Sequence, residues 1–150
     1  MLTTTLTESL SHEGIALGVA SDLIGPTLWE ELVQEARLVT ESQQWLLALA
    51  RAGKTIPTVK KAQKSYLLHL LGDWPVYDAQ SVWARIAAAP ALTATAAEYL
   101  GGTPSMRAYN LWYTLPATGG PSGSQLWHRD VDDAHMCKAF IYLTDVPDEA

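Results

Sequence analysis

Cysteine is nearly absent from this sequence, and long apolar runs are absent altogether. The single cysteine among its 150 residues, Cys137, can form no disulfide within the chain, and no second cysteine supports a zinc ribbon. No apolar run approaches the roughly 20 residues that a membrane-spanning helix needs. Residues 1–14 contain neither the basic nor the apolar segment of a secretory signal. These absences predict a protein of the reducing cytoplasm that does not associate with membranes.

Positive charge is also scarce. The 10 Lys and Arg residues against 16 Asp and Glu residues give a formal net charge of −6, which argues against nonspecific binding to nucleic-acid phosphates. Six of the acidic residues lie between Asp130 and Glu149. A local excess of carboxylates suits a bound cation better than an anionic polymer, so we expect no nucleic-acid partner.

The sequence does contain enough apolar material for one folded domain. Hydrophobic residues make up 48% of the chain and charged residues 17%, a balance that excludes intrinsic disorder. A chain of this length buries about two-thirds of its unfolded surface when it folds. We find no internal repeat and no low-complexity linker, so we expect residues 1–150 to form a single domain.

Residues 1–103 are predicted to be mainly helical. Apolar residues recur at helical spacing over 28–49, with Thr27 and Glu30 as a capping box at the start of that helix. The β-branched pair at 39–40 is where we expect a break. Further helices are predicted over 61–71, 78–88 and 91–100.

After Pro104 the composition becomes aromatic and β-favouring. Strands are predicted over residues 107–115, 125–131 and 138–146. Helices first and strands last are typical of α+β architecture. We therefore expect an α+β fold, in which the helical part packs on the strands.

The strongest chemical feature is the tetrapeptide W-H-R-D at residues 127–130. Side chains alternate along a strand, so His128 and Asp130 project from one face, with their Cα atoms about 6.6 Å apart. From there an imidazole and a carboxylate can converge on one ion. With a second histidine, this donor set forms the facial triad that binds Fe(II) and leaves positions open for substrate and oxygen.

The wider sequence around this tetrapeptide resembles the phytanoyl-CoA dioxygenase family. Residues 124–133, SQLWHRDVDD, and 138–146, KAFIYLTDV, are similar to the family pattern W-H-x-D, a short loop, then K-x-x-x-Y-L-x-D-V. The close resemblance covers 125–146, and the helical first part and strand 107–115 are similar in kind. The resemblance implies a double-stranded β-helix, a relative of jelly rolls and cupins, that binds Fe(II) and 2-oxoglutarate. Family members use O2 to hydroxylate a small organic molecule.

The resemblance also implies roles for single residues. His128 and Asp130 match the first two iron ligands of the family. Asn110 is the candidate for a contact with 2-oxoglutarate, by analogy with an amide or hydroxyl that the family places on this strand. Gln125 is a second candidate, because it lies three residues before His128.

The sequence departs from the family pattern in two places. The distal histidine that would be the third iron ligand, and the basic residue that grips the far carboxylate of 2-oxoglutarate, are absent from the 150 residues. His135 is a poor substitute, because it lies seven residues after His128 in an expected loop. We therefore expect a chain truncated before the C-terminal half of the β-helix, with 104–150 forming its first strands.

Two other interpretations stay open at this point. One is a non-catalytic protein, truncated or vestigial. Its β-helix would be completed by a partner or by a missing C-terminal segment. The other is a cupin-like module that binds a metal or a small molecule without 2-oxoglutarate. The identity of the bound metal, and its dependence on His128 and Asp130, distinguish these interpretations from a dioxygenase.

Overall fold

Helices dominate the described part of the chain. A computed structural model describes residues 5–54, 66–115, 120, 126 and 135–145. In chain order its elements are α1 (Leu6–Glu13), α2 (Ala20–Ile24), α3 (Pro26–Ser42), α4 (Gln44–Arg51), β1 (Leu67–His69), α5 (Val82–Ala87), α6 (Pro90–Leu100) and β2 (Trp112–Thr114). None of the described helices has both the length and the apolar composition to cross a membrane. Helices with a two-stranded antiparallel sheet are compatible with the α+β class, and the β-helix stays a prediction.

The described residues group into two compact units. The first takes its residues from Met1–Val33, Asp78–Arg107 and Asp133–Ala150, and the second from Gln34–Tyr77 and Ala108–Asp132. Each unit therefore joins segments that are distant in sequence. The single domain expected over 1–150, with a helical part up to residue 103 and strands after it, stays a prediction.

The first helix, α1, begins with a capping box that the sequence analysis did not predict. The backbone N–H of Glu8 donates to Thr5 Oγ1 (3.2 Å), and the backbone N–H of Thr5 donates to Glu8 Oε2 (2.7 Å). The first bond satisfies an amide that has no acceptor inside the helix. The hydrogen bond from the Thr5 N–H also holds the pKa of Glu8 below its ordinary value.

The long helical pattern forms two helices, but its start and its break differ from the prediction. α3 begins at Pro26, so Thr27 lies inside its first turn, and the capping box predicted at Thr27 is wrong. The N–H of Trp29 donates to the carbonyl of Gly25 (3.0 Å), which opens the helical ladder. Proline suits the first helical position because a backbone N–H there has no acceptor within the helix, so the N–H that proline lacks is not needed. The break lies at Gln43 instead of at 39–40.

A small apolar cluster lies at the centre of the first unit. Its buried members are Ile24, Leu32, Val82, Ile86 and Ala89. Partly buried apolar residues pack against them: Leu23, Leu28, Trp29, Trp83, Leu92, Ile141 and Leu143. Both α5 and α6 contribute to this cluster. Their bounds confirm the helices predicted over 78–88 and 91–100, with shorter or shifted ends.

The structure assigns no strand to residues 138–145, where the sequence predicts one. Burial nevertheless alternates over residues 140–144. Ile141 and Leu143 pack on the apolar cluster, whereas Phe140 and Tyr142 are exposed. Alternation of this kind is expected of an extended chain. The pairing of this segment in a sheet stays a prediction.

The sheet lies in the second unit and joins segments that are far apart in sequence. Its strands are antiparallel, and the paired residues are Leu67 with Thr114, Leu68 with Tyr113, and His69 with Trp112. Backbone hydrogen bonds on either side extend this pairing, from Leu70 N–H to the Leu111 carbonyl and from Leu115 N–H to the Tyr66 carbonyl, both 2.8 Å.

The helix predicted over 61–71 is therefore wrong at Leu67–His69, which forms β1. A short apolar run has no period that separates a buried strand from a helix. Here the partner strand decides, because β2 offers backbone groups that a helix at this position would leave unpaired.

Leu47→Ala is expected to lower the free energy of unfolding by about 2–5 kcal/mol, because it removes apolar contacts and leaves a cavity. Leu47 has no exposed surface, whereas Leu17 is 87% exposed. Leu17→Ala is the matched control and is expected to change the free energy by less than about 0.5 kcal/mol. Urea unfolding followed by circular dichroism measures both. Equal losses in the two variants would contradict a packed core at Leu47.

Candidate functional site

Three of the four predicted site residues lie outside the described part of the chain. These are the predicted iron ligands His128 and Asp130 and the predicted 2-oxoglutarate contact Gln125. The fourth, Asn110, is described and precedes β2 in the second unit. Of the predicted site, the structure therefore describes Asn110 and the residues around it.

The strand that follows Asn110 has one buried and one exposed face. The odd-numbered residues of 111–115 are buried or partly buried, whereas Trp112 and Thr114 are exposed. Because side chains alternate along an extended chain, Asn110 shares the face of Trp112. His69 is the cross-strand partner of Trp112 and so belongs to this face as well.

Two neighbouring side chains hold the loop that follows β1. Asn110 Nδ2 donates to the carbonyl of Gly72 (2.7 Å), and the Tyr109 hydroxyl donates to the carbonyl of Val76 (3.0 Å). Gly72 has a φ of 82°, a left-handed conformation that glycine adopts at little cost. Its N–H donates to the carbonyl of His69 (3.0 Å), which closes a tight turn directly after β1.

His69 lies at the start of this turn and is held by an aromatic contact. Its ring stacks on Trp112, with the centroids 5.9 Å apart and the planes at 12°. Its Nδ1 lies 3.7 Å from Asp73 Oδ1, which is too far for a hydrogen bond. About a quarter of each of the two side chains, His69 and Asp73, is exposed: 28% and 26%.

Two buried polar atoms in this region have no hydrogen-bond partner. They are His69 Nδ1 and Asn110 Oδ1, and no other buried side-chain nitrogen or oxygen of the described residues is in this condition. A buried polar atom without a partner costs about 1–3 kcal/mol, so such atoms are rare in folded proteins. Both belong to the same face of the sheet, beside the turn at Gly72.

This arrangement suits a ligand that offers hydrogen-bond donors or positive charge. Asn110 Oδ1 can only accept, and a neutral His69 accepts at Nδ1 when Nε2 carries the proton. 2-Oxoglutarate presents oxygen acceptors. A contact between it and Asn110 would therefore use the second N–H of Nδ2, since the first is bonded to Gly72.

The sequence did not identify His69 or Asp73 as site residues. A helix over 61–71 gives His69 no relation to Trp112, which lies on a different segment of the chain. The Gly72-Asp73 dipeptide after the apolar run marks a turn, but glycine also ends helices, so this signal alone does not separate a strand from a helix.

Among the residues that the structure describes, no three His, Cys, Asp or Glu side chains come together as a metal-binding group. His135 instead contacts the ring of Tyr99 within the first unit, with the centroids 5.4 Å apart.

Comparison with known proteins found no match to this chain among protein-family models, curated proteins or solved structures. Two features of the chain itself bear on its function. They are the H-x-D motif in the sequence and the polar face in the structure, which is the face of the sheet that carries His69 and Asn110.

Asn110→Ala is expected to lower the free energy of unfolding by about 1 kcal/mol, because it removes the hydrogen bond to Gly72. Gln44→Ala is the matched control. Gln44 also donates from a side-chain amide to a backbone carbonyl, that of Thr40 (3.3 Å), but its partner is only four residues away and its side chain is exposed, whereas Asn110 is partly buried and binds a distant loop. Its loss is expected to stay below about 0.5 kcal/mol. Urea unfolding compares the two, and equal losses would contradict the anchoring role of Asn110.

Proposed function

We propose that the chain carries the iron-binding part of an Fe(II)/2-oxoglutarate-dependent dioxygenase that hydroxylates a small organic molecule. The observation that carries this proposal is the W-H-R-D tetrapeptide at 127–130, followed by K-A-F-I-Y-L-T-D-V at 138–146. Together they resemble the metal-binding region of the phytanoyl-CoA dioxygenase family. The proposal specifies a reaction class and its cosubstrates, O2 and 2-oxoglutarate, and leaves the substrate open.

The donor set suits Fe(II). His128 supplies an imidazole and Asp130 a carboxylate, and one further histidine would complete the donor set of non-haem Fe(II) oxygenases. Alternation along a strand would bring both side chains to one face. A segment outside the two motifs would have to supply the third ligand.

Iron and 2-oxoglutarate supply the oxidative chemistry when they are bound, and the chain binds and orients them. His128 and Asp130 hold the metal. Asn110 offers its second amide N–H, and Gln125 its side-chain amide, to the oxygens of 2-oxoglutarate. The hydrogen bond from Asn110 to Gly72 restrains the amide, so the remaining N–H is directed before the cosubstrate arrives.

Charge and cysteine content support the rest of the proposal. The net charge of −6 disfavours an anionic polymer as substrate, so we assign a small molecule to that role. The single cysteine, Cys137, forms no disulfide within the chain, which is typical of a protein in a reducing compartment. We therefore propose the cytoplasm as its location.

His128→Ala and Asp130→Ala are each expected to weaken Fe(II) binding at least about 10-fold, because each removes one of the protein ligands and not merely an outer hydrogen-bond partner. Anaerobic equilibrium dialysis of the full chain against Fe(II) measures this. The matched controls are His12→Ala and Asp22→Ala, which replace the same residue types at exposed positions outside both motifs. Both controls are expected to bind iron as the unaltered chain does.

Unchanged iron binding in both ligand variants would refute the site. The remaining interpretations give different results with the same preparation. Iron bound through His128 and Asp130, without succinate formation after addition of 2-oxoglutarate and O2, would favour the cupin-like module. No iron binding by the unaltered chain would favour a non-catalytic protein.

A further inference from the structure

We propose that the turn after β1 forms a second cation site, which binds a divalent ion of the zinc type. Its donors are His69 Nδ1, a carboxylate oxygen of Asp73 and Asn110 Oδ1. All three residues belong to the second unit. The site uses neither His128 nor Asp130 and shares only Asn110 with the dioxygenase proposal, through a different atom, so it does not require that proposal to hold.

Two of the donors are spaced almost as the ligands of one ion are. His69 Nδ1 and Asp73 Oδ1 are 3.7 Å apart, too far for a hydrogen bond. Ligands that lie about 2.1 Å from a tetrahedral ion are separated by about 3.4 Å. A shift of a few tenths of an ångström would therefore bring these two atoms to the spacing that a shared ion sets.

The buried state of two donor atoms also favours a bound ion. His69 Nδ1 and Asn110 Oδ1 are buried and have no hydrogen-bond partner, although buried polar atoms normally have one. Both atoms accept without rearrangement when the histidine is neutral and protonated at Nε2. A cation satisfies both acceptors at once and adds the attraction of the Asp73 carboxylate.

The surrounding structure restrains two of the donor side chains and the backbone that carries the third. The stack on Trp112 orients the His69 ring, and the bond from Nδ2 to Gly72 orients the Asn110 amide. The backbone bond from Gly72 to His69 closes the turn that carries Asp73. Donors that are held before the ion arrives lose little entropy when it binds.

The nature of the donors selects the ion. One imidazole nitrogen with carboxylate and amide oxygens suits zinc and similar transition ions better than calcium, which prefers oxygen ligands only. Three protein donors also leave at least one coordination position for water or another ligand. We therefore choose Zn²⁺ as the probe for affinity and Co²⁺ as its spectroscopic substitute.

The test uses the full chain with both His128→Ala and Asp130→Ala, so that the proposed iron site cannot contribute. Calorimetric titration with Zn²⁺ is expected to show one binding event. Adding His69→Gln is expected to abolish it, and adding Asp73→Asn to weaken it at least about 10-fold, because each removes a donor to the ion. The visible absorption of bound Co²⁺ is expected to disappear with His69→Gln.

The matched controls are Asp78→Asn and His135→Ala, added to the same double variant. Asp78 also lies in a turn, where its Oδ1 accepts from the N–H of Gln80 (2.9 Å), and His135 packs on Tyr99. Both controls are expected to leave Zn²⁺ affinity unchanged, and urea unfolding verifies that every variant is folded.

No Zn²⁺ binding by the double variant would overturn the proposal. Equal affinity in folded His69→Gln, Asp73→Asn and control variants would overturn it as well. Neither result bears on the proposed iron site, which is absent from all these variants. Conversely, loss of Fe(II) binding without effect on this titration leaves the second site intact.

Discussion

The short antiparallel pairing of β1 with β2 determines everything that we infer about the polar face of the second unit. It places His69 opposite Trp112, and therefore on the same face of the sheet as Asn110. Side chains alternate with a period of two, and a slip by one residue would move His69 to the other face. The same slip would move Leu68 off the face that it shares with Leu70, where both are buried at 3% exposure. The burial of these two leucines therefore favours the register on which the polar face depends.

The turn after β1 then brings several polar atoms together on this face and restrains them. Gly72 provides the left-handed conformation that the turn requires, and Asn110 and Tyr109 bind the loop by two backbone carbonyls. The result leaves His69 Nδ1 and Asn110 Oδ1 buried without partners. No other buried side-chain nitrogen or oxygen of the described residues lacks a partner, and exceptions of this kind are where function is expected.

Local signals in the sequence predict the helices better than the sheet. α6 begins at Pro90 and ends before Gly101, whose φ is 72°, because proline and glycine act on the chain within one turn. β1 was predicted as helix because its apolar run has no distinguishing period, and because its partner lies over 40 residues away. Likewise the H-x-D motif is visible in sequence, since its residues are near neighbours. The relation of His69 to Asn110 exists only through the sheet.

A dioxygenase of the proposed kind must bind 2-oxoglutarate at its metal. A protein that only binds the metal need not do so. Visible absorption of the anaerobic, Fe(II)-loaded chain tests this directly, because chelation by a keto acid produces a charge-transfer band. We predict that the band appears when 2-oxoglutarate is added and is absent from His128→Ala. An iron-loaded chain whose spectrum does not change on addition of 2-oxoglutarate would contradict the proposal.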